Sequence, residues 1–508
     1  MSYLSQLERS FIESGALAAP GELLGTGGDT AVRDLRTPSA PSNATPLRGR
    51  VGFAQDVVPT AVDPRPVAQA PSAGRGEIAP LAALVGADQT APLVTGGELR
   101  YVNLDIAASA PALVAVAERV AEFLPYYSSV HRGSGYASIV STGAYENARR
   151  VIADFVGARF DDVVQVVRHT TDAFNLLARA VPGDVVHLDL EHHANLLPWR
   201  SSGSRQVAVA GTLEETLVAL DAELAKAPAA LLAVTGASNV TGELLPLDRL
   251  VAIAKAHGAR IAVDGAQLVP HRRIDIEAAG IDYVAFSGHK VYAPYGAGVL
   301  VGRRDWLDAA SPLLLGGGAV REVSTTGVSF AATPARHEAG TPNVVGAVAI
   351  AAALEELERI GEDAVVAHET ALRTRLVDGL RQLPGVRVLE IWPGEAEVIG
   401  VATFSVEGFS AEQVAHFLSA EWGVGVRDGR FCAHPLLARL NGGRTAVRAS
   451  LGLGSSSSDV HRLLAGIDQL VTHGPEWTYG VDGLPSVDPR PLPAWATGGA
   501  VAAAPCRD

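Results

Sequence analysis

Five short apolar runs, at residues 163–167, 185–190, 231–235, 260–264 and 283–287, constrain this chain more than any other feature. Each is followed by polar or glycine-bearing residues, and amphipathic helical patterns separate them. Short buried strands alternating with helices are the signature of a parallel α/β sheet. Open sheets of that kind hold their ligands outside the carboxyl ends of the strands, so the residues directly after each run matter most. From about Asp363 the texture changes to a long helical pattern, strands near Val386 and Val401, and helices at 410–420 and 459–471, which reads as a smaller α+β domain.

The chain has 508 residues, enough for a large core with an accessory domain. Its ends have a different character. Leu4, Leu7, Phe11 and Ile12 recur at helical spacing and predict a short helix within residues 1–33. Residues 34–98 are rich in Pro, Ala, Gly and Ser and read as a mostly disordered linker, and 473–508 as a disordered tail that contains Cys506. Between them we expect 99–120 as the N-terminal part of the small domain, 121–362 as the large domain and 363–472 as the small C-terminal domain.

The net charge of −14 and the absence of a basic run argue against nucleic acid or an anionic membrane as partner. Apolar runs are too short to span a bilayer, and the first 17 residues lack the layout of a signal peptide. Two cysteines make no disulfide framework. A cytoplasmic location is expected, and no metal site.

Asp264 ends one apolar run and Lys290 follows the next, so neighbouring strand ends would bring an acid and an amine to one crevice. A lysine there can form a Schiff base with an aldehyde cofactor, and a carboxylate can hold a pyridine nitrogen protonated. The same two residues taken alone would more readily be read as a structural ion pair. Around them stand Ser287, His289 and the turn Gly296-Ala297-Gly298. Upstream, Arg168-His169-Thr170-Thr171-Asp172 joins a strand to a helix whose free N–H groups suit a phosphate, or in which Thr170 is a simple N-cap. The tandem His192-His193 follows another strand end.

From about Tyr101 to Leu470 the chain resembles the class V aminotransferase superfamily, and within it the SUF-type cysteine desulfurases and selenocysteine lyases. The resemblance rests on Tyr101-Val102-Asn103-Leu104-Asp105, Val130-His131-Arg132-Gly133, Thr170-Thr171-Asp172-Ala173 and Glu191-His192-His193-Ala194-Asn195. It continues with Ser238-Asn239-Val240-Thr241-Gly242, Val263-Asp264-Gly265-Ala266-Gln267, Ser287-Gly288-His289-Lys290 and Glu338-Ala339-Gly340-Thr341-Pro342-Asn343.

The resemblance implies a fold type I transferase that depends on pyridoxal 5'-phosphate, with a large, mostly parallel sheet domain and a smaller α+β domain. It makes Lys290 the Schiff-base lysine, Asp264 the partner of the pyridine nitrogen, Gln267 the partner of the phenolic oxygen and His192 the residue stacked on the ring, and it counts His192 with Lys290 and Cys432 among the catalytic residues. Thr170, Thr171, Ser287 and His289 would bind the phosphate. Thr341 would reach the phosphate of a second subunit, which implies a homodimer. Asn239 and Arg448 would orient the substrate, with the Arg448 fork on its carboxylate.

The segment Val426-Arg427-Asp428-Gly429-Arg430-Phe431-Cys432-Ala433-His434-Pro435 resembles the loop that carries the desulfurase nucleophile. A buried cysteine is often only a small apolar filler. Within this motif Cys432 is expected to take sulfur from cysteine as a persulfide, leave alanine, and pass the sulfur to an acceptor protein. The alternative is another class V enzyme: a selenocysteine lyase, C–S lyase, amino-acid epimerase or aminotransferase. Departures from the pattern are His169 where glycine is usual, Gly135 and Phe431 where SUF-type enzymes carry histidine, and the segment 449–454. They bear on substrate more than on cofactor.

Overall fold

The computed structural model describes residues 76–496 apart from 202 and 481. The helix expected near the N-terminus, most of the linker and Cys506 lie outside the described residues.

All five apolar runs are strands of one seven-stranded sheet. Its order is Val163–Val167, Gly298–Gly302, Tyr283–Ser287, Arg260–Asp264, Leu231–Thr235, Val185–Leu188, Ser204–Val207. Pairing is parallel from Tyr283–Ser287 outward to Ser204–Val207. Gly298–Gly302 is wedged in antiparallel to both of its neighbours. Leu231–Thr235 and Tyr283–Ser287 are buried along their whole length, which is why they read as continuous apolar runs without alternation.

Helices cover both faces of the sheet. Leu213–Lys226 opens with a reciprocal Thr212/Glu215 capping box. The long Val344–Ile360 is apolar on nearly every side and packs against Tyr136–Phe155 and Val114–Phe123.

A second, four-stranded antiparallel sheet runs Val386–Leu389, Val401–Val406, Ala446–Ser450, Arg427–Gly429. The helices Glu362–Gln382, Ala411–Trp422 and Ser457–His473 close over it around a separate core that includes Leu372, Leu376, Phe404, Phe417 and Leu463. Full burial of each such side chain contributes on the order of 2 kcal/mol.

Residues 99–120 divide between the two cores. Val102–Asn103 pairs in parallel with Val424–Gly425, and Val102 and Leu104 pack in the second core. Leu113, Val116 and Val120 pack instead with the large sheet. Leu104 N–H donates to the Gly425 carbonyl, which draws Asp105 toward Arg448.

Two expectations are corrected. Residues 76–98 are not unstructured: Thr90–Pro92 pairs with Glu98–Arg100, Leu93 and Val94 are buried, and the N–H groups of Leu81 and Ala82 donate to the Leu453 carbonyl. Apolar residues in a Pro- and Gly-rich context find a partner surface that local composition does not reveal. Residues 474–480 and 482–490, expected within a disordered tail, fold back on Ala411–Trp422, where the buried Glu421 carboxylate accepts hydrogen bonds from Glu476 N–H, Trp477 N–H and the Tyr479 hydroxyl. Among the described residues no helix is long and apolar enough to cross a membrane.

Candidate active site

A cavity of about 320 Å³ opens at the carboxyl ends of the parallel strands. Its walls combine the ends of Leu231–Thr235, Arg260–Asp264 and Tyr283–Ser287 with the loop after Val185–Leu188, Arg427 and Arg448 of the second sheet, and Phe431 and Cys432. Asp264 and Ala285 are paired residues of adjacent strands, so Asp264 and the Gly288–Lys290 turn share one wall.

Burial pushes the Lys290 amine down to about 8, with Asp264 pulling it up and Arg448 pushing it further down. An amine so placed is neutral, and hence nucleophilic, at a far lower pH than an exposed lysine. Asp264, 3 % exposed, accepts a hydrogen bond from Ala266 N–H at 3.0 Å. Burial raises its pKa while the nearby Lys290 charge opposes the rise. A buried carboxylate in this position gains from any cationic group brought beside it.

The helix Thr170–Ala180 starts at the same cavity. Thr170 N–H and hydroxyl both meet Ser287 Oγ, at 2.9 and 2.8 Å. Thr171 and His289 line the cavity beside them. Burial, with Lys290 and His169 adding to it, holds His289 near 4, so its imidazole is neutral.

His169, standing where the family pattern has glycine, has φ −170°, an extended backbone open to any residue, and its Nδ1 accepts from Asp172 N–H as the N-cap. The glycine requirement falls across the sheet instead. A Cβ on Gly298 would lie 2.7 Å from His169 Cα and 2.9 Å from the Phe286 carbonyl oxygen.

His192 Nδ1 accepts from Ala194 N–H at 3.0 Å, leaving Nε2 as the protonated nitrogen of a neutral ring. Burial first, then Lys290, His193 and Arg448, push its pKa to about 3. Gln267 donates one amide hydrogen to the Ala107 carbonyl at 2.7 Å. Beneath this loop Glu191 is fully buried and accepts from Asn195 Nδ2 and Thr235 N–H, at 2.7 and 3.1 Å. Glu191 supports the two histidines, a part that the motif Glu191-His192-His193 contains but does not explain.

On the opposite side Arg448 is 3 % exposed. It donates to the Asn239 backbone carbonyl at 2.8 Å and to Asp105 at 3.3 Å, lies 5.2 Å from the Phe431 ring centroid, and leaves a buried Nε without a partner. Asn239 Nδ2 donates to the Phe431 carbonyl. Arg427, missed as a site residue from sequence, also lines the cavity. It falls on the strand Arg427–Gly429, three residues long and too short to carry a periodic signal.

Cys432 is a free thiol on the cavity wall. It and Phe431 take left-handed backbone conformations, φ +53° and +52°, each costing roughly 1–2 kcal/mol for a residue with a Cβ. Strain of this kind persists where neighbours over-determine the backbone.

The cavity thus gathers Lys290, Asp264, Gln267, His192, Thr170, Thr171, Ser287, His289, Asn239, Arg448 and Cys432. Thr341 stands apart: it is exposed and does not line the cavity. Its surroundings, residues 313–343, expose Leu314, Leu315, Val323 and Val328.

Residues 102–463 match the family model described as aminotransferase class-V. A cysteine desulfurase of Dickeya dadantii (strain 3937) is 39% identical over 394 residues, covering 74% of this chain and 93% of the relative. A probable cysteine desulfurase 2 of Mycobacterium leprae (strain TN) is 37% identical over 389 residues, covering 73% and 91%. Among solved structures, the apo cysteine desulfurase of Thermococcus onnurineus NA1 superposes with a TM-score of 0.68 at 32% identity, covering 73% of this chain and 94% of that one. The cysteine desulfurase CsdA of Escherichia coli gives 0.66 at 34%, with the same coverage.

Proposed function

The chain belongs to the aminotransferase class-V family, and from that membership we propose that it is a pyridoxal-phosphate-dependent cysteine desulfurase whose nucleophile is Cys432. The observation that carries the reading is the sharing of one cavity by a free thiol, a buried amine of lowered pKa and a guanidinium with an unpartnered Nε.

The donor set fits the cofactor. A helix N-terminus with Thr170, Thr171, Ser287 and His289 offers donors to a phosphate, and the buried Asp264 carboxylate suits a cationic ring nitrogen. Lys290 would carry the aldehyde, Gln267 would face the phenolic oxygen, and the neutral His192 ring would lie on the heterocycle. Bound there, pyridoxal phosphate supplies an electron sink for charge developing at the substrate α-carbon.

The chain's own groups do the rest. Arg448, whose guanidinium lines the cavity, pairs with the α-carboxylate of cysteine, and Asn239 holds both Arg448 and the Cys432 loop in register. Lys290, neutral above about pH 8, takes and returns the α-proton. The Cys432 thiolate attacks the substrate sulfur. The S–S bond forms as the carbon–sulfur bond breaks, and the substrate carbon gains a proton, so that cysteine and the enzyme thiol become alanine and an enzyme persulfide. A protein acceptor then takes the terminal sulfur.

Thr341 lies outside its own cavity, on a segment with exposed leucines and valines, which supports a homodimer in which each Thr341 serves the other subunit's phosphate. A reducing cytoplasm, which keeps Cys432 a thiol, is the proposed location.

Incubation of the reconstituted protein with cysteine and a reductant tests the reading. Alanine and sulfide should appear in equal amounts, and Cys432→Ser should abolish both. Turnover of cysteine by Cys432→Ser at the wild-type rate overturns the assignment of the nucleophile.

A further inference from the structure

Two consecutive residues with side chains, Phe431 and Cys432, sit in the left-handed region, so the Cys432 arm depends on contacts around it. Asn239 holds the Phe431 carbonyl through its side-chain amide at 2.8 Å. His193 holds the next carbonyl, that of Cys432, through its backbone N–H at 2.8 Å.

His193 is in turn engaged through its ring. The His434 imidazole meets it edge-on, with centroids 4.6 Å apart and planes at 75°. His434 opens the helix His434–Asn441 two residues beyond Cys432. That helix has no side-chain cap at Ala433, and Pro435 in its first turn has no N–H of its own. The ring contact is therefore a tie between the start of this helix and the loop that grips Cys432. Both histidines are partly exposed, and neither has another part in the proposed chemistry.

We propose that His434 is a positioning residue: by packing its ring against His193 it closes a clamp that holds the Cys432 arm in its left-handed conformation with the thiol over the cavity. The inference rests on the reading of Cys432 as nucleophile, and it assigns to His434 a task in placing that nucleophile.

The test uses the cofactor-loaded full chain in a Cys506→Ser background, so that Cys432 is the sole thiol. His434→Ala should lower kcat for cysteine about tenfold or more while KM stays within about twofold, because a misplaced nucleophile impairs the chemical step and leaves carboxylate binding intact. Iodoacetamide should alkylate Cys432 about fivefold faster or more, since a released arm opens locally. His434→Phe keeps an aromatic edge and should remain within about twofold of wild type on both measures. The visible cofactor band should be unchanged in both variants, which reports folding.

An unchanged alkylation rate in His434→Ala overturns the clamp, as does a His434→Phe variant as impaired as His434→Ala. The alkylation readout does not depend on the role of Cys432 in turnover. A failure of the nucleophile assignment would appear separately, as an active Cys432→Ser.

Discussion

Arg448 donates to the backbone carbonyl of Asn239 at 2.8 Å, across a sequence separation of 209 residues. The bond ties the second sheet to the loop after Leu231–Thr235, and it spends one guanidinium nitrogen on the protein while Nε stays unpartnered. The group is thus aimed before substrate arrives. Lysine has no planar fork and cannot reproduce both functions. Arg448→Lys should lower kcat/KM for cysteine about 100-fold, mostly through KM, as steady-state kinetics would read directly.

Lys290 makes a prediction about pH that needs no turnover. Its pKa is lowered to about 8 by burial, so the neutral amine that attacks an aldehyde accumulates as pH rises through that value. The rate at which apo-protein develops its visible band with added pyridoxal phosphate should rise with a midpoint near 8 rather than near the ordinary lysine value. Asp264 opposes the depression, so Asp264→Asn should move the midpoint lower still. A midpoint that rises in that variant would contradict the stated balance of charges.

Much of this site was legible because its residues sit where periodicity points, directly after buried strands. Val163–Val167, Leu231–Thr235, Arg260–Asp264 and Tyr283–Ser287 match the apolar runs residue for residue. Lys290, Asp264 and Thr170 follow from them. What was not legible is set by contacts distant in sequence. Gly298–Gly302 is antiparallel because it returns beside Tyr283–Ser287 after a short turn, and its place beside Val163–Val167 leaves no local trace. Asp105 reaches Arg448 only because Val102–Asn103 joins Val424–Gly425. Leu81 and Ala82 and the folded tail hide in Pro- and Gly-rich sequence for the same reason: their partners are Leu453 and Glu421, distant in sequence, and only the Thr90–Pro92 and Glu98–Arg100 pair is local.

Gly298 shows how a strand without catalytic residues still governs the site. A methyl group there would press on the His169 backbone, one residue before the Thr170 N–H that meets Ser287. Gly298→Ala should destabilise the fold by roughly 1–3 kcal/mol, as overpacking does, seen in denaturant unfolding. It should also weaken retention of pyridoxal phosphate during dialysis, because the helix start shifts. Retention equal to wild type would separate the strand from the phosphate site.

His192 should be silent as an acid or base. With its pKa pushed to about 3, the ring is neutral throughout the working range, and a stacking role asks nothing else of it. His192→Phe should therefore lower kcat/KM while leaving the apparent pKa values of the pH–rate profile where they were. Loss of an acid limb near the ordinary imidazole value would instead identify His192 as a proton carrier.

Glu421 anchors the segment beyond the last helix. Its carboxylate is buried and gathers Glu476 N–H at 3.0 Å, Trp477 N–H at 3.0 Å and the Tyr479 hydroxyl at 2.9 Å. Trp477 Nε1 then donates to the Val487 carbonyl, and Arg490 donates to Ser419 on the same helix that carries Glu421. Removing the carboxylate leaves these donors without an acceptor, a penalty of about 1–3 kcal/mol for each that stays buried, so the segment should peel away into water. Global melting is a poor reporter, because a local opening need not unfold the two cores. Chymotrypsin is a better one, since Trp477 and Tyr479 are themselves its cleavage sites. Glu421→Ala should be cut there about tenfold faster than wild type, in proportion to the opened population, while cysteine turnover remains within about twofold. Tyr479→Phe removes one of the three donors and should fall between the two. Equal cleavage of Glu421→Ala and wild type would mean that the apolar contacts of the segment hold it without the carboxylate.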